Sequence, residues 1–495
     1  MTKSRIDHSL NSVVSNPQKR GCKISRRALP TFVFACCVIF CAVTVTMTAT
    51  ASAQFHDLHS FVGTDGANPY GGLVQGTDGY FYGTTIDGGA KGGGNVFKIS
   101  PTGTVTSLYT FCSRFECADG QYPVTTLVQG PDGNFYGTTQ SGGTRGGWGT
   151  VFKITPAGKL TTLHSFDGFT DGAGPYGSLV LATNGRFYGS VTQGGPQGVG
   201  SIFEIAQGGR FSTLYSFCVE AGCPDGSNPV GQLIQATDGN IYGTTHTGGS
   251  NVCSEGCGTI YKMTLDGALT TLHAFDNTDG EYPYGGVLQA ADGTFYGTTP
   301  AGGVNGSGTV FNMTATGAVS VIHDFDGTDG SNAYALTLGS DGNFYGTTAY
   351  GGRRFAGTIF EITPAGAMTL LHTFNGKDGK NLFCGLVQGT DGKFYGTAYF
   401  GGPDADGTVF AVTTGLAPFV ETEPTSGKAG SSITILGSNL TDTKGVTFNG
   451  VSASFTIVSK TEIQATIPKG ATSGQVEVVT SHGDLWSNVA FQVTE

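Results

Sequence analysis

Residues 73–85 read LVQGTDGYFYGTT. A short apolar segment, an Asp78-Gly79 turn and the alternating run Phe81-Tyr82-Gly83-Thr84-Thr85 predict a tight β-hairpin. A Gly-rich loop from Asp87 to Asn95 leads to a third segment, Val96-Phe97-Lys98-Ile99. Pro101-Thr102-Gly103 then turns the chain into a fourth, Val105 to Phe111. The unit recurs. The tyrosine of FYG returns at Tyr136, Tyr188, Tyr296, Tyr345 and Tyr395, and Tyr242 fills the same place as IYG. The spacings are 54, 52, 54, 54, 49 and 50 residues, the size of a four-stranded propeller blade.

The ends of the array complete each other. Phe55 to Phe61 matches the fourth segment of the unit, as in Leu163-His164-Ser165-Phe166, whereas the last copy stops after its third segment, Val409 to Val412. Pairing these two removes two exposed sheet edges. The expected fold is therefore all-β: a seven-bladed β-propeller over residues 54–416, closed by the N-terminal strand. A solenoid would need caps instead.

Composition agrees. Of 495 residues, 83 are glycine and only 12% are charged, which disfavours helices. There is no G-X-Y period, and 38% hydrophobic residues suffice for a core, so the glycines belong in turns. A net charge of −11 without a basic stretch beyond the N-terminus argues against nucleic acid and suits cationic partners better. Residues 1–53 carry Lys3, Arg5, Lys19, Arg20, Lys23, Arg26 and Arg27, then an uncharged run from Leu29 to Met47 that ends near Ala51-Ser52-Ala53-Gln54. That is a signal-peptide layout; the alternative is an uncleaved membrane anchor. Cleavage is favoured because the run dissolves into Thr and Ala. Membrane contact is expected only through this segment, if it is retained. Ser25-Arg26-Arg27 is a weak twin-arginine signal. No sorting motif is recognisable toward Glu495.

The repeated text, LVQGTDGYFYGTT followed by NVFKISPTGTVTSLYTF, resembles the GloVer repeats of choice-of-anchor bacterial proteins. The resemblance implies an exported protein, secreted, periplasmic or on a bacterial surface, with no activity attached. Architecturally the unit is also similar to NHL-type propellers. From Pro418 a different text begins, with Pro424, Gly427, Gly430, Ile433 to Leu440 (ITILGSNL), Val446-Thr447-Phe448, Ile467-Pro468 and Phe491-Gln492-Val493. Short alternating strands between turn residues predict a small immunoglobulin-like β-sandwich over residues 417–495. This segment resembles the IPT/TIG family, which implies a non-catalytic spacer or interaction module.

Seven aspartates precede glycine in the connections between blades: Asp65, Asp119, Asp171, Asp225, Asp279, Asp329 and Asp378. They are a candidate acidic ring on one face. One carboxylate per loop falls short of the six to eight oxygens that calcium takes, so turn formation is favoured over structural calcium, and no cofactor or metal is expected. Asp78, Asp132, Asp238, Asp292, Asp341, Asp391 and Asn184 sit in the tight hairpins as turn formers. His59, His164, His273, His323 and His372 share one position with Tyr109 and Tyr215, which reads as packing and not as metal ligation. His246 departs from the repeat beside Cys253 and Cys257; a disulfide is favoured there over a His-Cys-Cys metal site. The other local pairs, Cys112 with Cys117 and Cys218 with Cys223, are also expected disulfides, leaving Cys384 as a buried thiol. Cys22, Cys36, Cys37 and Cys41 fall in the export segment.

No nucleophile elbow, HExxH pair or phosphate loop is present. One ligand on a seven-fold platform is bound specifically only by residues that break the symmetry. Arg145, Trp148, His246, Tyr350, Arg353 and Arg354, all in loops between second and third strands, are the candidates. The expected function is non-catalytic binding or adhesion outside the cytoplasm, toward polysaccharide or a surface protein. The alternative is a polysaccharide hydrolase or lyase, whose two carboxylates would come from different blades.

Overall fold

The computed structural model describes residues 53–250 and 252–494; the expected export segment, with Cys22, Cys36, Cys37 and Cys41, lies outside the described residues. Among the described residues there is no α-helix, and no helix is long and apolar enough to cross a membrane. Nine four-stranded sheets and one two-stranded sheet carry the structure. Seven of the four-stranded sheets come from the repeats and are numbered 1–7 in chain order. Sheet 1 runs Val74–Gln75, Phe81–Thr85, Asn95–Ile99, Val105–Thr110, each strand antiparallel to the next. The first strand is shorter than expected. In sheets 1–5 a proline, such as Pro69 or Pro123, sits just upstream of the first strand and offers the ladder no N–H. Sheet 6 has Ala333 there and a first strand of Ser331–Leu338, with Ala333 opposite Thr348, whereas sheet 7 has Leu382 at that position and keeps a two-residue first strand, Val387–Gln388, so the proline alone does not set the strand's length.

Sheet 7 takes its outer strand from the other end of the chain. Gln54–Ser60 pairs antiparallel with Thr408–Thr413, Phe55 opposite Val412 and Asp57 opposite Phe410. The pairing expected from the unmatched ends is the one observed.

Each letter of the repeated FYGTT has a physical task. The tyrosine ring stacks on the phenylalanine of the following sheet, Tyr82 on Phe135 at 3.9 Å and Tyr345 on Phe394 at 4.0 Å. The series returns to its start, with Tyr395 on Phe81 at 4.0 Å. The tyrosine hydroxyl donates to the hairpin aspartate four residues earlier, Tyr82 to Asp78 at 2.7 Å and Tyr136 to Asp132 at 2.9 Å. The aspartate also accepts from the backbone two residues on, as Tyr80 N to Asp78 Oδ1 at 3.1 Å, so these residues form turns as expected. The glycine leaves room for a phenylalanine of the third strand: Gly83 lies opposite Phe97, and Gly137 opposite Phe152. The first threonine reaches the next sheet's backbone, Thr84 to Thr125 O and, across the chain ends, Thr397 to Gly71 O. The second ties strands within its sheet, as Thr139 to Thr150 at 2.8 Å.

Glutamines repeat the same inter-sheet link. Thr77 N donates to Gln129, and Thr390 N in sheet 7 donates to Gln75 in sheet 1 at 2.9 Å. Sheet 7 therefore meets sheet 1 through the contacts that join the other neighbours.

After Thr413 the strands form two further four-stranded sheets, one starting at Glu421–Glu423 and one containing Gly445–Phe448 and Val476–Thr480. Ile433, Ile435, Val446, Phe448, Ile463 and Val478 pack between them. This part touches the hairpin side of sheets 1 and 7, where Thr461 donates to Thr77 O at 2.9 Å and Phe419 N to Thr390 O at 3.1 Å.

Candidate functional site

Two loops of each sheet run together on the other side. The connection entering a sheet bridges to the loop after its second strand: Gln121 to Ser141, Ala173 to Gln193, Ser227 to Thr247 and Lys380 to Phe400. All three disulfides lie in these loops, Cys112–Cys117 and Cys218–Cys223 in connections and Cys253–Cys257 in the loop of sheet 4. Both thiols near His246 are thus consumed, which removes the His-Cys-Cys metal alternative. Among the described residues no group of three His, Cys, Asp or Glu side chains could hold a metal. Cys384 is buried, with Thr397 Oγ1 3.0 Å from its sulfur, and burial pushes its thiol up.

The recurring aspartates and the His/Tyr position prove to be partners. His59 Nε2 is 2.8 Å from Asp65, His164 2.8 Å from Asp171, His273 2.6 Å from Asp279, His323 2.8 Å from Asp329 and His372 3.0 Å from Asp378. In the two remaining sheets Tyr109 donates to Asp119 at 2.7 Å and Tyr215 to Asp225 at 2.8 Å. The position is thus more than packing: imidazole and phenol interchange because each places a donor at one carboxylate. Backbone amides take the second oxygen, as Val62 N to Asp65 and Asp326 N to Asp329, so each carboxylate of the acidic ring is engaged within its own loop.

His372 also stacks on Phe55 at 3.9 Å. Burial holds it below its ordinary value of 6.5, with Asp378 opposing only in part. The unfolded chain therefore binds the proton first. The stability this neutral ring contributes is present above about pH 6.5 and is lost as pH falls through and below that value. His372→Tyr, the residue found at two sister positions, keeps a donor for Asp378 and abolishes the proton uptake. Its denaturant midpoint should vary less between pH 7 and 5 than the parent's; equal slopes would place the effect elsewhere.

On the loop face the chain entering each sheet points an aromatic or valine inward: Tyr70, Val124, Tyr176, Val230, Tyr284, Tyr334 and Phe383 line one cavity of about 70 Å³. The five rings contact in a closed series. Tyr70 meets Tyr176 at 5.8 Å, Tyr176 meets Tyr284 at 6.3 Å, Tyr284 meets Tyr334 at 5.1 Å, Tyr334 meets Phe383 at 5.3 Å, and Phe383 returns to Tyr70 at 5.4 Å. These are mainly edge-to-face arrangements, the favourable geometry for aromatic quadrupoles. No charged residue lines the cavity. Burial and neighbouring hydroxyls drive Tyr70 far above the usual phenol range and Tyr284 up to about 12. The hydroxyls therefore stay protonated, as hydrogen-bonding groups and not as bases.

The sequence candidates divide around this collar. His246 adjoins it, 5.5 Å from Tyr284 and 5.0 Å from Tyr282, and its buried Nδ1 has no hydrogen-bond partner. Burial lowers its pKa, so it is neutral at pH 7. Tyr350, 44% exposed, approaches Phe383 at 6.5 Å. Tyr350 is the last residue of the second strand of sheet 6, Phe344–Tyr350, and not the loop residue that was expected, because the lengthened first strand pairs Ser331 with it; Arg353 and Arg354 are exposed beside Phe355 in the loop that follows. Trp148 is exposed and meets Phe169 edge-on at 6.4 Å, while Arg145 lines a separate pocket with Arg114. The collar itself was missed. Its one sequence signal is an aromatic residue four positions after the inter-sheet glycine in five of the seven connections, as Tyr70 after Gly66 and Tyr176 after Gly172, with Val124 and Val230 in the other two.

The solved structures that this fold resembles are β-propeller proteins. A streptogramin B lyase is 16% identical, with a TM-score of 0.51, covering 74% of this chain and 99% of that one. A fungal alcohol oxidase of the AA5 family, solved with copper, is 13% identical at TM-score 0.51, covering 89% of this chain and 100% of that one. The extracellular domain of a candidate one-component system from B. thetaiotaomicron is 12% identical at TM-score 0.50, covering 90% of this chain, which spans 58% of that one. At such identities the likeness is one of fold. The Gloeobacter/Verrucomicrobia repeat matches residues 41–255 and 232–458, and the chain belongs to that family. No curated protein matches it.

Proposed function

We propose that this chain is an exported, non-catalytic binding protein: a closed seven-bladed β-propeller that presents its loop face to extracellular glycan, with an IPT/TIG-type immunoglobulin-like domain behind it as spacer. The contacts joining sheet 7 to sheet 1 support closure, and three disulfides fit an oxidising compartment. The aromatic collar carries the functional reading. At about 70 Å³ the cavity is too small to enclose a sugar ring, so the collar's hydroxyls and the adjoining neutral His246 meet sugar hydroxyls at its mouth, and no carboxylate lines it to serve as acid or base.

A glycan array probed with the secreted protein, followed by product analysis on each hit, tests this. Binding without turnover is expected. Tyr176→Ala and Tyr284→Ala should each weaken it about two- to tenfold, the equivalent of ~0.5–1.5 kcal/mol per aromatic contact. New reducing ends or unsaturated products would overturn the non-catalytic reading in favour of a hydrolase or lyase.

A further inference from the structure

Outside the collar, a second cavity of about 340 Å³ opens between the connection of sheets 1 and 2 and the outer strand of sheet 2. Its charged groups are the two guanidiniums of Arg114 and Arg145, and the His164 ring also lines it. No carboxylate lines it, although removing the seven cations and one anion of residues 1–52 leaves 18 Lys and Arg against 35 Asp and Glu. Two nearby acids are already matched: Asp171 is bonded to His164, and Asp119 accepts from Tyr109 and from the amides of Ser113 and Arg114; Glu116, in the same disulfide loop as Arg114, is exposed and does not line the cavity. Hydroxyls complete the wall. Thr144 N and Oγ1 both reach Ser165 Oγ, at 3.2 and 3.3 Å, and the buried Thr162 Oγ1 has no partner. The Arg114 backbone is held inside the Cys112–Cys117 disulfide loop, with Cys117 N on its carbonyl at 3.0 Å.

We infer that this pocket is an anion subsite, taking the carboxylate or sulfate group of an acidic polysaccharide that extends across the loop face. The inference rests on the glycan-binding reading above and names the ligand class. Guanidinium forks match planar or tetrahedral oxyanions with paired N–H donors, and the wall hydroxyls supply further donors. Trp148, in the loop that carries Arg145, offers an exposed ring for an adjoining sugar.

The test is calorimetry on the exported chain with three probes: polygalacturonate, dextran sulfate and uncharged dextran. Arg114→Ala/Arg145→Ala should weaken polyanion binding at least tenfold, and Arg145→Lys, which keeps charge without the fork, should fall between. Lys159→Ala/Arg210→Ala, removing the same charge from the hairpin side, should change it less than twofold. Preference for polygalacturonate or for dextran sulfate then identifies the anion. Equal losses in both double variants would reduce the effect to diffuse electrostatics and overturn the subsite. Equal binding of charged and uncharged probes, insensitive to the arginines, would overturn the subsite while the glycan-binding reading stands. Failure of all three probes, with a blank glycan array, would overturn both.

Discussion

Deleting residues 54–61 should leave a chain that aggregates, or unfolds at denaturant concentrations the parent withstands. The deletion removes the outer strand of sheet 7 and leaves Thr408–Thr413 as an edge of unpaired N–H and C=O groups with strong β-propensity, a template for intermolecular pairing. It also uncovers what that strand packs against. Phe61 is fully buried in the cluster that contains Phe81, Phe97 and Tyr395, side chains from sheets 1 and 7, and Phe55 covers His372 and Phe410. Phe61→Ala alone should cost about 3–5 kcal/mol, because a buried phenylalanine leaves both its transfer energy and a cavity. That is a large share of a net stability of ~5–15 kcal/mol. A parent-like midpoint and monodisperse behaviour in the deleted chain would show that the seventh sheet does not need this strand, and with it the closed ring would lose its main support.

Gly137→Ala should destabilise by about 1–3 kcal/mol or more, through added volume and not through backbone strain. A Cβ on Gly137 would lie 2.6 Å from Leu127 Cδ2 and 2.8 Å from Phe152 Cζ, inside any tolerable carbon contact. Neither neighbour has room to retreat, since both are buried in one cluster with Phe111, Phe135 and Ile154. The same residue type faces the same clash at Gly83 against Phe97 and at Gly396 against Phe410, so the effect belongs to the repeat. Adding Phe152→Leu should recover part of the loss, and the double-mutant cycle reads the coupling directly. An unchanged midpoint in Gly137→Ala would mean that the third-strand phenylalanine is not packed as described.

Much of the architecture is local and was legible. The period of FYG, the Asp-Gly hairpins and the cysteine pairs each depend on residues within a few positions, where turn chemistry and strand alternation leave a readable pattern. Even the long-range pairing of Gln54–Ser60 with Thr408–Thr413 could be read, because repetition turns an unmatched end into a statement about its complement. Other features lay across turns or between sheets. The His/Tyr position and the inter-sheet aspartate are each visible, but that Nε2 and Oη reach the same carboxylate depends on how the connection folds back.

The sequence by itself determined the repeat unit, its seven copies, its turns and its disulfide partners, because these are set by neighbours in the chain. Only the tertiary structure decided what lines the aromatic collar and the loop pockets. Tyr70 and Phe383 are more than 300 residues apart yet 5.4 Å from ring to ring, and Arg114 and Arg145 come from different repeats to share one wall. Such sites are assembled by the angle at which successive twisted sheets pack, and no single stretch of chain carries that angle.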